Sequence, residues 1–307
     1  MMLSNELIVL APLSIVFFLG YLAQTTGLCM VRGVNELKQG NPAFLLAVLL
    51  SGAFSWVAAF YAFYFDIPIH FKIYSANIWV VFGGIVFGLG TAFNQGCGVS
   101  TLSKLSRGDL KMVATIIGWL VGWSLQANSP INFTPKQMAM PDDVEYSLLL
   151  VISIVLSIWV LLGDLRRKNL WFSMMGIGLL ASFLFLLEPS WPPSGLLNDL
   201  SGSLFDVDGK SMPSMIRYAI FLSLIAGMAI AAWRTGRFKL ELPNVKQNTL
   251  HLVAGVFMGL GASLAMGGND SQLLLALPAF SPAGFVAVSS MLVGITVGLK
   301  LFEKIKG

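Results

Sequence analysis

Charged residues are scarce in this chain of 307 residues, and their scarcity excludes a soluble globular protein. Only 11% of the residues are charged, whereas 56% are hydrophobic and the mean hydropathy is +0.79. Soluble domains carry roughly 25% charged residues. The apolar residues occur in runs of about 20, the length at which a helix crosses a lipid bilayer. The composition therefore predicts a membrane protein.

Cysteine and histidine are nearly absent, which excludes several kinds of chemistry. Cys29 and Cys97 are the two cysteines, too few for a disulfide scaffold. The two histidines, His70 and His251, are far apart in sequence, in predicted loops, and form no metal-ligand motif. Motifs of P-loop proteins, zinc proteases and serine hydrolases are also missing. We therefore expect no metal, no other cofactor and no enzymatic activity.

The apolar runs lack the alternation of polar and apolar residues that is typical of barrel strands. The runs therefore predict transmembrane helices. Residues 1–6 contain no Lys or Arg, so we expect the first run to be a retained helix and not a signal peptide. The predicted fold class is an all-α integral membrane protein with about nine transmembrane helices. The nine runs lie at about 6–27, 42–65, 76–93, 110–127, 145–163, 170–188, 213–233, 249–266 and 282–302.

Basic residues are distributed unevenly among the loops. If the loops alternate sides, 15 of the 19 Lys and Arg residues lie on the side opposite the N-terminus. The other side holds Lys72, Lys136, Lys210 and Arg217. Because Lys and Arg accumulate in cytoplasmic loops, this pattern also explains the net charge of +4 without a nucleic-acid partner. The sequence predicts a bacterial inner-membrane protein with its N-terminus outside and its C-terminus in the cytoplasm.

An internal repeat is visible at an offset of 171 residues, where 81–90 aligns with 252–261. Both stretches read G-x-x-x-G-L-G, and both are followed by five residues and a glycine, Gly96 or Gly267. The two glycines fall on opposite predicted sides, so the repeats are expected to be inverted, as in transporters that bind substrate near the midplane. The chain is predicted to form a single membrane domain, with one half at about 1–127, a connecting helix at about 145–163 and the second half at about 170–307.

The stretch Asn94–Leu102 follows the glycine-rich third run and is too short to cross the membrane. Its small and polar residues are flanked by apolar ones, which favours a re-entrant element over a solvated loop. A short helix that begins near Gly98 would direct free N–H groups inward, and such a helix end attracts anions. The alternative is a flexible loop with a packing cysteine. The candidate substrate-binding residues of this stretch are Asn94, Gln95, Gly96, Cys97 and Gly98.

Three further segments have a related composition. Gln24–Gly33 combines small polar residues with a glycine and Cys29, a further binding candidate. The repeat mate of the Cys97 segment contributes Gly267, Gly268 and Asn269 as candidates. Next to them, Asp270 has two interpretations: a cap for the helix that follows, or a substrate-facing acid. The segment 188–200 is either an entrance to the path or a rigid exterior loop.

At Gly27-Leu28-Cys29 and Asn94-Gln95-Gly96-Cys97-Gly98 the chain resembles the YeeE/YedE family of sulfur transporters. That family is marked by a glycine–cysteine–x–glycine type loop after a glycine-rich span. The resemblance extends to 266–269 and covers most of the chain. It implies thiosulfate uptake by a fold of two inverted halves with nine spans and re-entrant helices. It also implies that thiols along a central path, here Cys29 and Cys97, pass the anion along by S–H contacts.

The chain departs from that family at one position. Thiosulfate carriers have a third cysteine in the second re-entrant loop, where Gly268 or Asn269 stands here. Two interpretations follow. Either the substrate is another small sulfur species, or backbone N–H groups and Asn269 take the place of the outer thiol.

Two other functions stay open. A membrane-embedded sulfurtransferase with Cys97 as nucleophile would need a base or cation beside the thiol, for which Lys104 and Arg107 are the candidates. A scaffold would instead recruit a cytoplasmic sulfur-carrier protein to the basic loops. The expected partners are thus a small sulfur-containing anion, membrane lipid and, in the scaffold case, that carrier protein.

Reporter fusions after Gly307 test the predicted orientation. A fluorescent protein that matures only in the cytoplasm should be bright there, and alkaline phosphatase should be inactive, because the C-terminus is predicted to be cytoplasmic. The same two reporters fused after Ser129, between the fourth and fifth runs, should give the opposite result. Phosphatase activity at Gly307 would show that the spans are miscounted.

Overall fold

Helices make up nearly all of the regular structure in the computed structural model, which describes residues 2–67, 73–129, 136–138, 142–205 and 211–306. A short antiparallel ribbon pairs β1 (Ile73–Tyr74) with β2 (Gln137–Met138). The helices are α1 (Met2–Thr26), α2 (Met30–Lys38), α3 (Ala43–Leu49), α4 (Ser55–Tyr64), α5 (Ile78–Phe93), α6 (Gly98–Ser106), α7 (Lys111–Ala127), α8 (Asp142–Leu161), α9 (Leu165–Leu187), α10 (Pro193–Leu204), α11 (Met215–Arg234), α12 (Val245–Leu264), α13 (Asn269–Ser271) and α14 (Pro282–Lys306). His70, Lys72 and Lys210 lie outside the described residues.

The long helices confirm an all-α, multi-pass integral membrane protein. Six helical stretches in the described part of the chain are long and apolar enough to cross a membrane, or eight if each of two bent pairs is one span. Helix α7, the remaining predicted span, is 17 residues long, which corresponds to a rise of about 26 Å. The count of nine stays a prediction.

One predicted span, 42–65, is interrupted. Its two parts, Ala43–Leu49 and Ser51–Tyr64, meet at 41°. At the break, the backbone of Gly178 in α9 touches the carbonyl group of Ser51, and Gly52 leaves room for the ring of Pro278. A straight helix could not follow both neighbours, so a 3-10 turn (Ser51–Phe54) replaces one helical turn.

The long helices pack reciprocally. Helix α5 lies along α14 and α12 lies along α7, while α5 and α12 also contact each other. The 171-residue offset puts α12 in the place of α5, and α14 nearly in the place of α7, so the two pairs correspond. The outer helices repeat the pattern, because α1 packs on α11 and α9 packs on α3 and α4. This exchange of partners supports the proposed division into halves at 1–127 and 170–307.

Glycine permits the closest of these helix contacts. A Cβ atom added to Gly88 in α5 would collide with the carbonyl oxygen of Met291 in α14. The repeat mate of Gly88 is Gly259 in α12, and a Cβ there would collide with the carbonyl oxygen of Trp119 in α7. Small residues let helix backbones approach closely in membranes, where lipid tails are as apolar as the side chains they would replace. The repeated glycines of the sequence are therefore contact points.

The outer surface is apolar. Phe63, Leu162 and Trp233 are exposed by 81%, 82% and 76%, respectively. Side chains of this size that stay uncovered around a helix bundle are expected to face lipid. The polar residues described below lie instead between the helices.

Replacing Gly88 by alanine tests the glycine contacts. We expect a loss of about 1–3 kcal/mol in stability, because the new methyl group must push α14 away. Thermal denaturation of detergent-purified protein would show this as a lower Tm. The control is Gly176→Ala, where the nearest atom to a new Cβ is Leu22 Cδ1 at 3.5 Å, so the Tm should not fall. Equal Tm values for both variants would contradict close packing at Gly88.

Candidate functional site

Helices α2, α6, α10 and α13 each begin just after a break in a longer helical run. Their N-cap residues are Cys29, Cys97, Pro192 and Gly268. No side chain of these four residues caps the helix that follows. The first N–H groups of a helix have no partner inside it and carry a partial positive charge. The breaks therefore place polar helix ends among apolar spans.

The two thiols lie together in the first half. Cys29 and Cys97 are free thiols within hydrogen-bonding range of each other. Cys97 is only 1% exposed, whereas Cys29 is partly exposed. The Cys29 Sγ atom also donates to Ser100 Oγ at 3.4 Å, and Ser100 Oγ donates to the Cys97 carbonyl oxygen at 3.1 Å. This arrangement joins the start of α2 to the first turn of α6.

Gly96 and Gly98 leave room around Cys97. A Cβ atom at Gly96 would lie 2.6 Å from Ser100 Oγ, and one at Gly98 would lie 2.7 Å from the ring of Trp119. Side chains at either position would therefore displace the groups that surround the thiol. The two predicted glycines thus permit the close packing on both sides of Cys97.

Asn94 organises the break before α6 and is completely buried. Its Nδ2 atom donates to the Gly96 carbonyl oxygen and to Thr101 Oγ1, both at 2.8 Å. Its Oδ1 atom accepts from Thr115 Oγ1 at 2.7 Å and from His251 Nδ1 at 2.8 Å. The prediction that His251 lies in a loop is wrong, because it is buried in α12. Asn94 thus holds the break by bonds to three helices.

Gln95 is the one candidate of this segment with an exposed side chain. Its backbone is left-handed, with φ at 54°, and its carbonyl oxygen accepts a hydrogen bond from Lys104 Nζ at 2.8 Å. Lys104 is also close enough to Cys29 for an electrostatic interaction. Cys97, Ser100 and Lys104 follow one face of α6 at helical spacing. That spacing was the signal by which Ser100 and Lys104 could have been found in the sequence.

The second half holds the predicted candidates Gly267, Gly268 and Asn269. Gly267 has φ at 144°, a conformation that favours glycine. Asn269 is 2% exposed, and its Oδ1 atom accepts from the backbone N–H of Gly98 at 3.1 Å. This bond joins the start of α13 to the start of α6. The structure therefore brings the candidates of both halves together.

The Asp270 carboxylate bonds to two helices, whereas a cap would bond only to the helix that follows it. Its Oδ1 atom accepts from the Ser271 N–H at 3.0 Å, and its Oδ2 atom accepts from the Ser194 N–H at 2.9 Å. Ser194 belongs to the first turn of α10. The carboxylate therefore links α13 to α10, a role that no feature of the sequence indicated for Ser194.

The segment 188–200 forms α10 and the wall of a polar cavity of about 440 Å³. Arg217 Nη1 pairs with Asp199 at 2.6 Å, and its Nη2 atom donates to the Ser190 carbonyl oxygen at 2.9 Å. The lining residues are Glu188, Ser190, Asp199, Ser211, Met212, Pro213, Ser214 and Arg217. The entrance interpretation and the exterior-loop interpretation of this segment both stay predictions.

Replacing Asn94 by alanine tests its structural role. The change leaves the buried groups of Thr115 and His251 without this acceptor, which costs about 1–3 kcal/mol for each unsatisfied group. We expect a clearly lower Tm in thermal denaturation. Gln95→Ala is the neighbouring control and should leave the Tm unchanged within a degree or so, because its side chain is exposed. An unchanged Tm in Asn94→Ala would contradict the network.

Comparison with known proteins agrees with the motifs around Cys29 and Cys97. The chain matches the family described as sulphur transport over residues 26–297, a range that includes the starts of all four short helices. The thiosulfate transporter TsuA of Escherichia coli (strain K12) is 21% identical to it over 326 residues, covering 90% of each chain. The chain therefore belongs to the sulphur transport family.

Proposed function

We propose that this protein is a bacterial inner-membrane transporter that takes up a small sulfur-containing anion, with thiosulfate as the first candidate. Its N-terminus lies outside and its C-terminus in the cytoplasm. One observation carries the proposal: the starts of α2, α6, α13 and α10 are joined in series by hydrogen bonds, and two free thiols lie at the starts of α2 and α6. Membership of the sulphur transport family and the similarity to a thiosulfate transporter support it.

Helix N-termini suit a divalent anion better than a buried cation does. Such an anion cannot cross about 30 Å of hydrocarbon unaided. A helix start offers N–H donors and about half a positive charge, enough to attract the anion. A buried arginine or lysine would bind it more strongly and slow its release. Several weak sites in series allow the anion both to enter and to leave.

The thiols add selectivity for sulfur. A thiol is a weak hydrogen-bond donor and a soft acceptor, so it suits a terminal sulfur atom. Cys97 lies deep in the protein, and Cys29 is partly exposed beside it, toward Lys104. We propose that the anion passes Asn269 and Cys97, then Cys29, and leaves past the ammonium group of Lys104.

Buried donors near these helices lack partners among the described residues. They include Gln24 Nε2, Trp119 Nε1 and Trp191 Nε1. Gln24 accepts a hydrogen bond from Ser103 of α6, and Trp191 stands just before α10. A buried donor without an acceptor costs free energy, so a passing anion that accepts from these groups would relieve that cost.

Uptake of radiolabelled thiosulfate into proteoliposomes that contain this protein alone tests the proposal. Wild-type protein should transport, and Cys97→Ala should lose roughly tenfold or more of the rate, the size expected when a hydrogen bond to a charged group is removed. Cys29→Ala should lose less, since Cys29 lies nearer the mouth. Cys97→Ser should be nearly inactive, because a hydroxyl group is harder and more strongly hydrated than a thiol.

Controls separate the possible outcomes. Every variant should keep the wild-type Tm, which excludes misfolding as the cause. Full activity in both alanine variants would remove the thiols from the path. No uptake by the wild-type protein alone, together with binding of a sulfur-carrier protein, would favour the scaffold. Release of sulfite from thiosulfate, with the sulfane sulfur left on Cys97 as a persulfide, would favour a sulfurtransferase.

A further inference from the structure

Asp270 is a buried carboxylate in the second half of the proposed path. It is 4% exposed, and its two oxygens accept hydrogen bonds from the N–H groups of Ser271 and Ser194. Ser194 N–H belongs to the first turn of α10, the end that attracts an anion. The Asp270 carboxylate thus occupies the position that a bound anion would take at the start of α10.

The carboxylate also fills the space of a missing side chain. Gly268 is the repeat mate of Cys97, so a thiol of the second half would project from it. A Cβ atom at Gly268 would lie 2.6 Å from Asp270 Oδ1 and 2.8 Å from Ser194 Cβ. The acid of this half therefore stands where the first half has its thiol. The two ends of the path differ in chemistry although their backbones correspond.

Within the described residues, no ion pair joins Asp270 to a Lys, Arg or His side chain, although Arg217 Nη2 lies 3.7 Å from the Cβ position of Gly195, next to Ser194. On α10, Asp199 pairs with Arg217 instead. On α6, Lys104 bonds to the Gln95 carbonyl group, and Arg107 lies just beyond the far end of that helix. The stretch Gln272–Ala276 contains no charged residue. An acid that lies between membrane helices without a cation typically marks an ion or proton pathway.

We propose that Asp270 is a proton-binding gate that couples anion uptake to the entry of one proton. While charged, the carboxylate occupies the Ser194 N–H and repels a second anion. A proton from the outer solution neutralises it, so the substrate anion takes over this donor and moves on toward Cys97. The proton then leaves to the cytoplasm, and the carboxylate closes the site again. This inference rests on the proposed function, and it names the driving force of that transport.

The test compares wild-type protein with Asp270→Asn in proteoliposomes that contain a pH-sensitive dye. Thiosulfate added outside should acidify the lumen of wild-type vesicles, and an outside-acid pH gradient should drive accumulation above the outer concentration. Asp270→Asn keeps an oxygen for the Ser194 N–H but carries no exchangeable charge. It should continue thiosulfate counterflow while it loses both lumen acidification and gradient-driven accumulation.

The matched control is Asp164→Asn, because this exposed acid caps α9 and asparagine caps equally well. It should keep proton movement and accumulation at the wild-type level. If Asp270→Asn does not fold, Asp270→Ser replaces it, since a hydroxyl group still occupies part of the space above Gly268. Wild-type counterflow without proton movement, or proton movement that persists in the Asp270 variant, would overturn the gate but leave the transport function intact. Absence of thiosulfate counterflow in wild-type protein would overturn the proposed function itself.

Discussion

Burying the start of a helix inside a membrane protein leaves N–H groups that must find partners, and the rest of this structure depends on that constraint. The long helices are broken, and hydrogen bonds join the four helix starts in series: α2 to α6, α6 to α13, and α13 to α10. Each break in turn needs support. Gln95 and its repeat mate Met266 adopt left-handed backbones, with φ at 54° and 63°. The bonds of Asn94 hold the first of these breaks, and close packing at glycine positions keeps the long helices around them.

The two halves support their breaks in different ways. In the first half, the side chain of Asn94 bonds to neighbouring helices. Its repeat mate is Ala265, which has no such side chain, and there Gln272 Nε2 bonds to the Ala265 carbonyl oxygen at 2.7 Å. The backbone geometry is thus retained while the polar chemistry changes. Because a thiol and a carboxylate bind different partners, this asymmetry would give the proposed path chemically distinct ends.

The absence of a buried, unpaired cation at the described site is consistent with passage of an anion. Arg217 is tied to Asp199 and Ser190, and the ammonium group of Lys104 donates to the Gln95 carbonyl oxygen. Apart from the Asp270 carboxylate, the anion would therefore meet only partial charges in the interior. Partial charges attract an anion without holding it for long, so they lower the barrier to crossing and do not create a trap.

The sequence by itself determined the class of protein, most helix bounds and the breaks that precede α2, α6 and α13. These features are local: runs of apolar residues, glycines in a repeated pattern, and Cys97 between Gly96 and Gly98. Helix α6 begins at Gly98, where the sequence predicts a short helix. The repeat also located Gly267, Gly268 and Asn269 as counterparts of the Cys97 segment. Charge counts yielded an orientation, because positive residues partition by side of the membrane.

Only the tertiary structure decided which groups meet. Cys29 reaches Ser100 across 71 residues, Asp270 reaches Ser194 across 76, and Asn269 reaches Gly98 across 171. It also decided the bend at Ser51, where Gly178 of α9 packs against the carbonyl group of Ser51. Hydrogen bonds and steric contacts act over a few ångströms in space, whatever the separation along the chain. A periodic pattern reports which face of a helix is apolar, but it does not report the neighbour that this face will meet.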